Sequence, residues 1–205
     1  MQLVSSKELL NWINDQLSYG GDRESLYFLL DISAGLPRSK INYLKINSSG
    51  NLTLSEDLAS LEAKWEIHIK NKKPIQYICE YTYWRELKLK VNQNVLIPRT
   101  ETEQIIDIAN LLFPKKSRAI NFADLGTGSG AIGIAISLSN TNWRGFATDI
   151  DKDALKIASD NFASFNNSSN LFFYHGDWWS PLDNLKGEID LAVANPPYIP
   201  YDVFE

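Results

Sequence analysis

Apolar residues recur every three or four positions through the first third of the chain, and then the rhythm changes. Ser5-x-x-Glu8 has the form of a capping box, and Leu9, Leu10, Ile13 and Leu17 follow at helical spacing. Asp22 stands where it would cap a second helix carrying Leu26, Leu29 and Leu30 and ending near Gly35-Leu36-Pro37. A short third helix is predicted from Ser39 to Ile46, and Ser48-Ser49-Gly50-Asn51 reads as a turn. Ser55 is expected to open a fourth helix with Leu58, Leu61, Trp65 and Ile69 on one stripe. Lys70, Lys72 and Lys73 then fall in its last turn, where positive charge suits the helix dipole. Residues 1–73 therefore predict a small helical bundle.

The period shortens over 74–100. Tyr81, Tyr83, Leu87, Leu89 and Val91 alternate as a strand does, Asn92-Gln93-Asn94 marks a turn, and Val95-Leu96-Ile97-Pro98 follows. This stretch is expected to be a linker bearing a β-hairpin. From Glu101 helices and strands alternate. Strands are predicted at about 119–125, 145–149, 171–174 and 189–194, with helices at about 102–112, from Ser129, and at 153–165. Such alternation predicts an α/β fold with a parallel sheet and right-handed crossovers, so 101–205 form a second domain.

Composition narrows the picture only a little. Hydrophobic residues make up 44% and charged residues 22% of the 205, as in ordinary soluble proteins. No apolar run approaches the ~18 residues of a membrane span, and the mixed N-terminus does not resemble a signal peptide. A net charge of −5 argues against a protein that grips a long phosphate backbone. The single cysteine, Cys79, suits a reducing compartment and is expected to be a packing residue. A monomeric cytoplasmic protein with no membrane and no direct nucleic-acid contact is therefore expected.

Two segments carry the chemistry. Gly126, Gly128 and Gly130, with Thr127 and Ser129 between them, form a glycine-rich turn where a strand becomes a helix. Glycine permits a left-handed backbone and close approach of a ligand, and amides at a helix start can bond carboxylates or hydroxyls. Asp149 ends the next predicted strand, where a carboxylate can accept both hydroxyls of a ribose. The G-x-G-x-G spacing after Asp124, in place of G-x-G-x-x-G, favours S-adenosylmethionine over a dinucleotide. Asp177 and Trp178 follow the third strand; the first could accept from an adenine amino group and the second could cover the ring. Trp179 and His175 are read as structural.

The second segment is Asn195-Pro196-Pro197-Tyr198, after the fourth strand. A planar nitrogen group needs two acceptors to fix it. The Asn195 side-chain oxygen and the Pro196 carbonyl can supply them, Pro197 stiffens the loop, and Tyr198 can pack on the planar face. Catalysis is therefore expected from Asn195, Pro196 and Tyr198, with Asn195 through Tyr198 holding the acceptor and Asn195 also bordering the cofactor. No metal is needed.

With these motifs in view, the chain resembles the HemK/PrmC family, N5-glutamine methyltransferases that modify peptide chain release factors. Four segments carry the resemblance in order: Pro74 to Ile78, Val95 to Glu103, Gly126 to Gly130 and Asn195 to Ile199. The resemblance implies a Rossmann-like methyltransferase domain and methyl transfer to the glutamine of a Gly-Gly-Gln loop. It also implies that the helical domain helps hold the release factor. Thr100 stands where the family usually has a second proline, and Trp84-Arg85-Glu86 stand where it usually has a glycine. The family also continues for about three further strands, so a C-terminally incomplete catalytic domain is expected. Two other readings remain open. One is an aminomethyltransferase acting on adenine N6 or guanine N2 of nucleic acid, which the same tetrapeptide would suit. The other is a truncated, inactive cofactor-binding protein.

Overall fold

The computed structural model describes residues 1–113, 119–165 and 170–196. The chain divides into two compact units, Met1–Tyr81 and Thr82–Glu205. In the first, helices α1 (Ser6–Tyr19), α2 (Arg23–Ala34), α3 (Arg38–Ile46), α4 (Leu58–Asn71) and α5 (Ile75–Cys79) join strands β1 (Gln2–Ser5) and β2 (Asn51–Leu54). The capping box forms: the Glu8 N–H donates to Ser5 Oγ at 3.1 Å, and the Ser5 N–H donates to the Glu8 carboxylate at 3.3 Å. Asp22 caps α2 by accepting from the Ser25 N–H at 2.9 Å. Such caps each contribute about 1 kcal/mol.

Three local expectations change. The fourth helix starts at Leu58 under Asp57, whose carboxylate accepts from the Ser60 N–H; the Ser55 N–H is taken by the Ala34 carbonyl at 3.0 Å. That helix ends at Asn71, because Lys72 adopts a left-handed backbone (φ 51°). Residues 2–5 form a strand before α1, pairing antiparallel with β2 from Gln2↔Leu54 to Ser5↔Asn51. Four residues are too few for periodicity to reveal a strand, and this pairing is non-local. The apolar stripes meet in one core holding Leu9, Ile13, Leu26, Leu30, Ile41, Leu54, Leu61 and Trp65. Cys79 lies buried in it, and burial pushes its thiol pKa up, away from nucleophilic use.

The 74–100 segment is divided between the units. Ile75 and Cys79 bury in the first core, while Trp84, Leu87 and Leu89 bury in the second. Strands β3 (Tyr81–Trp84) and β4 (Leu87–Lys90) make the hairpin. A 3-10 turn (Thr100–Glu103) leads into α6 (Gln104–Leu112). Then follow β5 (Asn121–Leu125), α7 (Ala131–Ser139), β6 (Arg144–Asp149), α8 (Lys152–Ser164), β7 (Leu171–His175), a 3-10 segment (Ser180–Leu185) and β8 (Leu191–Ala194).

The four strands pair in parallel in the order β7-β6-β5-β8. The unit is a Rossmann-like fold of the α/β class. One face of the sheet packs Phe122, Ala147 and Leu171 with Ile134 and Ile136 of α7 and with Trp143; the other packs Ala123, Leu125 and Phe146 with Leu182. α7 is apolar on nearly every side because it is buried on nearly every side. Strand order reverses between β5 and β8. In open parallel sheets the crevice at the carboxyl ends of two such strands is where ligands bind.

Candidate active site

The glycine-rich turn leaves the carboxyl end of β5, and Asn195 follows the carboxyl end of β8. They thus flank the point of reversal. Gly126, Gly128 and Gly130 have φ values of 67°, 56° and 83°, a left-handed backbone that costs other residues roughly 1 kcal/mol or more. A Cβ placed on Gly126 or Gly128 would meet no atom within 4 Å. These two glycines serve the backbone path and leave open space above it, a cradle a ligand can enter. The first amides of α7 have no acceptor within their own helix and lie at the dipole's positive end.

Asp124 secures the turn from beneath. It is buried, and its carboxylate accepts from the Thr127 hydroxyl at 2.6 Å and from the Gly133 N–H at 2.9 Å. Gly133 permits that approach: a Cβ there would lie 2.9 Å from the carboxylate oxygen. Burial pushes the Asp124 pKa up to about 6, while the bonds from Thr127 and Gly133 oppose the rise. The Thr127 N–H donates to the Thr148 carbonyl at 2.9 Å, stitching the turn to β6.

Asp149 ends β6 as expected. Its carboxylate accepts from the Gly128 N–H at 2.8 Å and from the Asp151 N–H at 3.0 Å. Two carboxylate oxygens carry about four acceptor positions, so capacity remains for hydroxyl donors. Beyond β7, the Gly176 N–H donates to the Asp149 carbonyl at 3.0 Å, and the Thr148 hydroxyl donates to the Trp178 carbonyl at 3.0 Å. Asp177 is exposed. Trp178 has φ 46° and is 48% exposed, and Trp179 is 45% exposed. Neither tryptophan is a core residue. His175 has a structural contact, its Nε2 3.0 Å from the Ile150 carbonyl oxygen.

One pocket gathers Gly126, Thr127, Gly128 and Ser129 with Asn195, Ala131 and Ile132. Its opposite wall is Trp84, Leu96, Pro98 and Thr102. Asp177 and Trp178 do not line it. The Asn195 amide nitrogen lies 3.5 Å from the Thr102 hydroxyl, at the outer limit of a hydrogen bond. The Trp84 indole N–H donates to the Arg99 carbonyl at 2.8 Å, and the Thr102 N–H donates to the same carbonyl at 3.1 Å. Arg85, one residue on, takes a left-handed backbone (φ 49°), which explains why glycine would suit this hairpin. Its side chain compensates by donating to the Glu103 carbonyl at 2.9 Å and pairing with Asp107 at 3.0 Å.

Asn195 thus lines the pocket and Pro196 follows it in the chain, while Pro197 and Tyr198 lie outside the described residues. Sequence reasoning put Trp84, Leu96 and Pro98 in a linker and Thr102 at the start of a helix. Their place in the wall depends on the hairpin folding back on the sheet, which no local pattern announces. Among the described residues no cluster of His, Cys, Asp and Glu could hold a metal, and no helix is long and apolar enough to cross a membrane.

A family model described as "Methyltransferase small domain" matches residues 103–201. The release factor glutamine methyltransferase of Prochlorococcus marinus is 41% identical over 203 residues, covering 97% of this chain and 68% of that protein. The protein of the same description from Synechocystis is 34% identical over 205 residues, covering 96% and 68%. That from Bacillus subtilis is 34% identical over 199 residues, covering 94% and 66%.

Proposed function

The chain belongs to the release factor glutamine methyltransferase family, and from that premise we propose that it methylates N5 of the glutamine in the Gly-Gly-Gln loop of a peptide chain release factor. It is a methyltransferase whose cofactor is S-adenosylmethionine. The observation that carries the reading is the pocket at the point of strand reversal, which joins the glycine turn to Asn195. The fit is physical: open space above Gly126 and Gly128, helix-start amides for a carboxylate, and unused acceptor capacity on Asp149.

In this reading the backbone from Gly126 to Gly130 holds the amino-acid end of the cofactor and Asp149 its ribose. Asp177 and Trp178 attend the adenine from beyond β7. Bound there, S-adenosylmethionine supplies an electrophilic methyl group on a sulfonium.

The chain's own task is to present a poor nucleophile. An amide nitrogen shares its lone pair with the carbonyl, and free rotation takes it out of line. Asn195 Oδ1 accepts one N–H of the glutamine and the Pro196 carbonyl accepts the other, which fixes the nitrogen and disperses its growing positive charge. After transfer the surplus proton leaves the nitrogen to water, so no dedicated base is required. Pro197 and Tyr198 complete the acceptor loop. The Met1–Tyr81 unit helps hold the release factor. The protein works as a monomer in the cytoplasm, without direct nucleic-acid contact.

Single-turnover methylation of a release factor bearing Gly-Gly-Gln, at saturating cofactor, tests this. Asn195→Ala is expected to lower the rate about 10²–10³-fold, the scale of losing one oxyanion-hole-type contact. Near-wild-type rates would sink the role of Asn195, and methylation of adenine or guanine in place of glutamine would transfer the case to nucleic acid.

A further inference from the structure

The pocket's two walls come from distant parts of the sequence, and one buried side chain ties their supports together. Asn161 sits on α8 and is 1% exposed. Its Oδ1 accepts from the Lys90 N–H at 2.7 Å. Its Nδ2 donates to the Lys90 carbonyl at 3.0 Å and to the Ser129 carbonyl at 2.9 Å. Lys90 ends β4, and the chain beyond it supplies Leu96, Pro98 and Thr102 to one wall. Ser129 belongs to the glycine turn that makes the other wall.

The carboxamide uses one acceptor and both N–H donors, and few side chains could replace it. An ionised aspartate has no donor to offer two carbonyls, leucine offers nothing, and glutamine is one methylene too long for a tightly packed site. Asn161 is not in the pocket lining and does not reach the reacting atoms.

We propose that Asn161 is a positioning residue for cofactor binding: it sets the separation of the glycine turn from the 96–102 wall by clamping the Lys90 main chain to the Ser129 carbonyl. This rests on the reading of that pocket as the S-adenosylmethionine site. If the carboxamide served stability alone, its loss would lower the melting temperature and leave the affinity of the folded protein unchanged.

The experiment is titration calorimetry of the full chain with S-adenosylhomocysteine, comparing wild type, Asn161→Asp and Asn161→Leu. It is run well below each variant's melting transition, with circular dichroism confirming the fold. Asn161→Asp keeps size and acceptor and loses both donors, so its Kd is expected to rise about ten-fold or more, the scale of a broken buried hydrogen-bond set. Asn161→Leu is expected to bind more weakly still, and the Asp variant carries the test if the Leu variant does not fold. A folded Asp variant with Kd within two-fold of wild type overturns the clamp, whatever its melting temperature. A wild-type chain that binds no S-adenosylhomocysteine overturns instead the cofactor reading beneath it.

Discussion

Asp149 meets the glycine turn before any ligand arrives, because its carboxylate is already oriented by the Gly128 and Asp151 amides. A side chain so held loses little freedom when it binds. Asp149→Ala removes this brace together with the proposed ribose acceptor, and it is expected to weaken S-adenosylmethionine binding by roughly 1.5–3 kcal/mol. Unchanged affinity by calorimetry would take Asp149 out of the site. Asp124 makes a different prediction. Its pKa in the fold, about 6, lies above the ordinary 3.8, so the folded chain binds the proton more readily than the unfolded one. The stability this group contributes is full below about pH 4 and is lost as pH rises through about 6, a change of order 2–3 kcal/mol. Asp124→Asn keeps an acceptor for the Thr127 hydroxyl and Gly133 N–H without the ionisation. Urea unfolding of that variant should therefore vary less between pH 4 and 6 than wild type. An equal slope would show that Asp124 does not titrate in this range.

Among the elements, the 3-10 turn at Thr100–Glu103 is the one on which sequence and structure bear most directly. Thr100 is its first residue, and Arg99 before it is extended (φ −90°, ψ 145°). That is the conformation a following proline demands, and the first position of a helical turn tolerates a missing N–H. Thr100→Pro is expected to stabilise the protein by about 0.4–1 kcal/mol, chiefly by restricting the unfolded chain. A fall in the urea midpoint would mean that the Thr100 N–H has a partner the proline removes. The regular elements were legible where periodicity ran long. The stripe at Leu9 and Ile13, the caps at Ser5 and Asp22, and the four parallel strands follow from spacing and side-chain chemistry alone. β1 and β2 did not, since four-residue strands are fixed by each other and not by their own pattern. The site was legible where a motif carries its own backbone demand, as at Gly126 and Gly128. Asn161 and Thr102 were not, because their roles exist only once segments far apart in sequence have met.

Among the described residues each unit has its own buried core, one around Trp65 in Met1–Tyr81, and one in Thr82–Glu205 on both faces of the sheet, around Phe122 with Trp143 and around Phe146. The pocket proposed for the cofactor is lined entirely by residues of the second unit, Thr82–Glu205. A ligand stabilises what it binds, so S-adenosylhomocysteine at about 100 times Kd should add about 2.7 kcal/mol to the second unit. Scanning calorimetry should show that shift in the unit bearing Trp84 and Trp143, followed through their fluorescence, and an unmoved transition there would contradict the placement of the site. The strand order has a further consequence, in time. β5 and β6 with the glycine turn and Asp149 are complete once residue 149 has left the ribosome, whereas the partner that closes β5 on its other side lies 69 residues along the chain from it. At roughly 5–20 residues per second, the nascent chain spends several seconds with the glycine turn synthesised and Asn195 not yet made. Of the described strands, β8 is therefore the last to be made, and it is the one that carries Asn195 to the glycine turn.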